Sequence, residues 1–112
     1  MMTREELVER AIRAVHEREE AFGEALDADA DAEHTYKVAR AKAFLTAQGT
    51  EKAREAQSVI DTDNLLKDHL NKKAVKTFCA VKLNDAQDAL SARQSLLKRE
   101  TSTNFGSMGV GA

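Results

Sequence analysis

Between Thr3 and Glu100 the chain has one strong signal for ending a helix and starting another, Gly49-Thr50, and its 112 residues include no proline to supply a second. Gly49 suits the left-handed residue that closes a helix, Thr50 suits the N-cap of the next, and Glu51 places negative charge in that helix's first turn. Two helical arms, about 3–48 and 51–100, are therefore predicted to fold back antiparallel about this hinge. Equal rise along both arms sets residue i near roughly 99 − i.

The arms carry the pattern that such a hairpin needs. Thr3 and Glu6 form a T-x-x-E capping box, and Met2 is placed to pack on Leu7. Val8, Val15, Phe22, Tyr36 and Ala43 recur at seven-residue spacing, with Ala11, Ala25, Ala32 and Ala39 three further on and Ile12 and Leu26 four further on. Asp29 is the one polar member of that series. In the second arm the predicted inward series is Ala53, Ala56, Val59, Ile60, Leu66, Leu70, Ala74, Phe78, Val81, Ala89 and Leu96. Leu65, Val75, Leu83, Leu90 and Leu97 widen the apolar surface beyond one seam. Asp61-Thr62-Asp63-Asn64 interrupts the series and predicts a kink.

Most of the apolar content is alanine, the aromatics are Phe22, Tyr36, Phe44, Phe78 and Phe105, and there is no tryptophan. A core that thin calls for completion by another chain. The expected fold class is all-α, a long antiparallel helical hairpin of coiled-coil type completed by self-association, a two-fold pair of hairpins making a four-helix bundle. Residues 101–112 contain Gly106, Gly109 and Gly111 and read as a flexible tail. Within it Phe105, Met108 and Val110 are a candidate partner-docking peptide, weighed against an ordinary disordered end.

Charge is unevenly spread. From Met1 to Glu33 four arginines stand against eleven acidic residues, and from Leu66 to Glu100 eight lysines and arginines stand against four acids. The basic cluster offers a nucleic-acid contact through Lys72, Lys73 and Lys76, extended by Lys37 and Arg40. Against this, the hairpin register lays the cluster beside the acids of the first arm, and no aromatic among these lysines provides a stacking platform except Phe78, which fits the apolar series.

The remaining candidate sites fail on spacing. Asp27, Asp29 and Asp31 sit like the first oxygen ligands of a calcium loop, but that loop needs glycine and glutamate where this chain has Ala32 and Val38. His16-Glu17-Arg18-Glu19-Glu20 begins like a zinc-protease helix and lacks the second histidine. His34 and His69 can approach across the hairpin with Asp31 and Asp68 nearby, which is short of a convergent ligand set with its supporting shell. Cys79, the lone cysteine, reads as a small buried apolar residue, since a two-helix seam offers no substrate pocket. No glycine-rich phosphate loop and no G-x-S-x-G is present. The expectation is a protein without enzymatic activity, metal or cofactor. With no long apolar run and no leader, it is expected to be soluble, off the membrane, in the cytoplasm of a host cell or in a virion.

That host enters through a resemblance. Tyr36-Lys37-Val38-Ala39-Arg40-Ala41-Lys42-Ala43-Phe44-Leu45-Thr46-Ala47-Gln48-Gly49-Thr50, followed by Ala53-Arg54-Glu55-Ala56, resembles small helical proteins encoded by phages of actinobacteria. Ala92-Arg93-Gln94-Ser95-Leu96-Leu97 loosely matches a second stretch of those proteins. The resemblance implies a phage origin, near recombination or replication genes, and carries over no catalytic or binding residue. The expected function is a non-enzymatic interaction protein acting through self-association and a protein partner. Its rivals are an accessory DNA-binding factor in phage recombination or replication, and a virion or assembly component of scaffold or connector type.

Overall fold

The computed structural model describes residues 2–109, with side chains through residue 100. Among them the structure is all-α, as predicted: α1 (Arg4–Thr46), α2 (Glu51–Asp61) and α3 (Asp63–Gly109), with no strand. The chain divides into two compact units, Met1–Ala21 with Ala80–Ala112, and Phe22–Cys79. In each, α1 runs antiparallel to the returning arm.

Local chemistry explains where the helices begin and end. Thr3 Oγ1 accepts the Glu6 N–H at 3.1 Å, while Met2 stays 40% exposed. Helix α1 passes through residues 27–33 unbroken, because Ala28 and Ala32 turn inward and Asp27 and Asp31 outward, so packing overrides the poor helix propensity of aspartate. On a continuous helix these acids cannot wrap a calcium ion. At the hinge Gly49 has φ 107°, the one positive φ among the described residues. Thr50 caps α2, its Oγ1 accepting the Ala53 N–H at 3.2 Å. Arg54 ties the turn shut: its Nε donates to the Phe44 carbonyl at 3.2 Å and its guanidinium lies 4.7 Å over the Phe44 ring.

The predicted interruption falls at Thr62, which separates α2 from α3. Thr62 is 3% exposed and its hydroxyl donates to the Ser58 carbonyl at 2.6 Å, and the Ser58 hydroxyl donates to the Glu55 carbonyl at 2.7 Å. Back-bonding of this kind bends a helix without opening it. The Leu66 N–H still reaches the Thr62 carbonyl at 3.0 Å, so the backbone ladder continues past the bend.

In the unit that joins Met1–Ala21 to Ala80–Ala112, Ala11 and Val15 are buried, with Leu7 and Ala14 half-buried beside them. On α3 the half-buried residues of this unit are Ala80, Lys82, Leu83, Ala86, Leu90 and Leu97. Arg4 Nε meets Glu100 at 3.2 Å, about one turn from the predicted register. In the unit Phe22–Cys79 the buried positions are Ala25, Asp29, Ala32, Ser58 and Thr62.

The seven-residue series predicted for α1, with the alanines three further on, is thus the inward face, whereas Ile12 and Leu26, predicted with it, are 37% and 42% exposed. The series predicted for the returning arm is not inward. Leu70, Phe78, Val81 and Leu96 are 51–58% exposed, and the returning arm instead turns inward Thr62 and, on α3, His69, Lys76, Leu83, Leu90 and Leu97, spaced every seven residues. The cause is Asp29: an inward acid on α1 draws His69 and Lys76 inward on α3, and the leucines follow at the same period. Helix α3 also continues to Gly109, past the point where the sequence pattern closes the arm and begins a flexible tail. A glycine costs about 1 kcal/mol relative to alanine, and with no proline to block it the helix propagates. The side chains of Phe105 and Met108, and all of Val110, lie outside the described residues, and the docking-peptide expectation with them.

Candidate functional site

A charged layer in the alanine seam centres on Asp29, 6% exposed at an inward position of α1. Lys76 Nζ donates to Asp29 Oδ2 at 2.8 Å, and its own side chain is 29% exposed. His69, one heptad earlier on α3, brings Nε2 to 3.3 Å from Oδ1. Oδ1 is buried and accepts no hydrogen bond from the described residues. Tyr36 stacks on His69 at 6.4 Å between ring centroids and 26° between planes. Glu33, one turn beyond Asp29, is half-buried and holds Lys37 at 2.7 Å.

The electrostatics follow from these pairs. The hydrogen bond from Lys76 lowers the Asp29 carboxyl below its ordinary value, outweighing burial, and the fields of Lys76, His69 and Lys73 act in the same direction. Glu33 is lowered, and Lys37 raised, chiefly by the hydrogen bond between them. A buried ion pair is a poor source of net stability, yet it penalises any register that leaves one partner alone. Asp29 lies between His69 and Lys76, where the predicted register also set it.

The candidate nucleic-acid residues are largely committed to acids of their own chain. Lys37 pairs with Glu33, Lys76 with Asp29, Lys72 with Asp68 at 4.0 Å, and Arg40 with Glu55 at 3.9 Å while donating to the Tyr36 hydroxyl at 3.2 Å. Lys73 is exposed. The expected neutralisation across the hairpin is supplied by Asp29; Lys67 and Lys72 are met by acids four residues back on α3, Asp63 and Asp68. Of the histidines, His16 and His34 are exposed, and His69 turns to Asp29 rather than to His34 and Asp31. Cys79 is half-buried.

The same unit has an open groove of about 660 Å³ beside the hinge, lined by Tyr36, Arg40, Phe44, Leu45 and Glu55 among others. Its lining includes no histidine or cysteine, and the Ser58 hydroxyl is spent on the Glu55 carbonyl. It has no nucleophile with a base beside it.

Family models, curated proteins and solved structures give no significant match to this chain. Function therefore rests on the side chains themselves. Sequence reasoning marked Asp29 as the one polar member of the heptad series without drawing out its consequence for the facing helix. An acid at an inward position is itself the signal for cations at inward positions on the facing helix.

Proposed function

We propose that the chain is a non-enzymatic, phage-encoded helical interaction protein that works by self-association, presenting the resulting bundle to a protein partner. One observation carries this: the buried apolar residues among those described are Ala11, Val15, Ala25 and Ala32, while Ile60, Leu70, Val75, Val81 and Leu96 are 51–68% exposed. A chain that buries only alanine and valine and exposes isoleucine and leucine has its larger hydrophobic surface still to bury. Leu70 and Ala74 in one unit, and Val81 and Leu96 in the other, lie outside the inward positions 69, 76, 83, 90 and 97 of α3, so apolar surface stays uncovered in each. Such surface can be buried against its own copy about a two-fold axis, which is the arrangement of a four-helix bundle.

The accessory DNA-binding alternative draws no comparable support, because Lys37, Arg40, Lys72 and Lys76 are already paired with carboxylates. The test is to place a charge on this exposed apolar surface, once in each unit. Leu70→Glu and Leu96→Glu, each exposed and so compatible with the fold of the single chain, are expected to convert an oligomer to helical monomers in analytical ultracentrifugation. An oligomer that survives both substitutions sinks the assignment of this face.

A further inference from the structure

We propose that Asp29, Glu33 and His69 form a binding site for a first-row divalent cation, zinc foremost, that clips α1 to α3. One potential ligand atom from each of the three lies within 4.8 Å of the other two. Asp29 and Glu33 stand four apart on α1, one above the other on a single face, and His69 comes from the facing helix. The set therefore bridges two elements rather than decorating one.

Three further features fit an ion. Asp29 Oδ1 is buried and takes no hydrogen bond from the described residues, although the carboxylate is held charged by Lys76 on its other oxygen. A carboxylate that ligates through one oxygen and is hydrogen-bonded through the other is the usual outer-shell support of a metal site. The separation of Oδ1 from His69 Nε2, 3.3 Å, also matches the edge of a tetrahedron with bonds of about 2.0–2.1 Å, which is about 3.4 Å. Two ligands at that spacing need little rearrangement around zinc.

Glu33 supplies the third donor. Its side chain is 42% exposed and shared with Lys37, so it can turn toward Asp29 by side-chain rotation alone. The same exposure leaves one side of the cluster open to a water in the fourth position. An imidazole with two carboxylates selects zinc and its first-row neighbours over magnesium and calcium, which prefer all-oxygen shells. Lys76 and Lys37 bring positive charge close by and moderate the affinity.

The experiment is equilibrium dialysis of the full chain against zinc at a few-fold molar excess, repeated with cobalt so that its visible bands report coordination geometry. One ion per chain is expected, with tetrahedral cobalt bands and a raised melting temperature. His69→Ala and Glu33→Gln should each weaken binding at least tenfold, while His34→Ala leaves it unchanged. Glu33→Gln removes only a half-exposed pair within one helix, so it keeps the test interpretable if His69→Ala unfolds. No stoichiometric binding, or binding indifferent to both substitutions and thus due to scattered surface acids, would overturn the proposal.

Discussion

Asp29 shows how one side chain sets the pairing of two helices. Truncating it leaves Lys76 and His69 facing the seam with no carboxylate, so Asp29→Ala should lower the urea midpoint more than the exposed Asp31→Ala. Replacing the layer together, as Asp29→Leu with His69→Leu and Lys76→Leu, should restore or exceed the original stability while loosening the choice of register. The pH dependence follows from the direction of the shifts. Asp29 and Glu33 are held below their ordinary values, so the stability they add is complete above about pH 4 and is lost as pH falls through their folded-state values. Lys37 is raised, so its contribution is complete below its ordinary value near pH 10.5 and disappears as pH rises through the folded one. Glu33 and Lys37 are too exposed for their pair to matter much, which leaves Asp29 as the group to watch. Urea midpoints measured from neutral pH down to about pH 2 should fall for the native chain and fall less steeply for Asp29→Asn.

Among the elements, the hinge and the first arm were legible in the sequence and the inward face of the second arm was not. Gly49, Thr50 and Thr3 act through local geometry, which spacing and residue type report directly. The face of α3 depends on which helix it meets: two candidate series run along it, and the wholly apolar one is not the one that packs inward. His69 and Lys76 belong inside only because Asp29 is opposite. Two substitutions probe the elements alone. Gly49→Ala forces a side chain into a positive-φ conformation with Ala53 Cβ already 3.4 Å from the added atom, and should cost about 1–2 kcal/mol with an unchanged denaturant slope. Gly23 sits in the interior of α1, where an added methyl group would meet nothing within 4 Å, so Gly23→Ala should stabilise the chain by about 1 kcal/mol.

For the whole molecule, the decisive contrast is between what is buried and what is left outside. Secondary structure was readable because the chain has no proline and one glycine hinge, whereas the identity of a partner is written only in the chemistry of an exposed stripe, which any apolar helix could meet. The proposed function is therefore a mode of action, association through helices, with the exposed apolar residues of α3 as its proposed point of entry. The most direct measurement is light scattering coupled to size exclusion on the full chain alone, at low and high salt. A discrete dimer or tetramer, persisting at high salt because apolar burial drives it, is the expected result. A monomer of 12.3 kDa at every concentration and salt would contradict self-association and leave the stripe to a different chain.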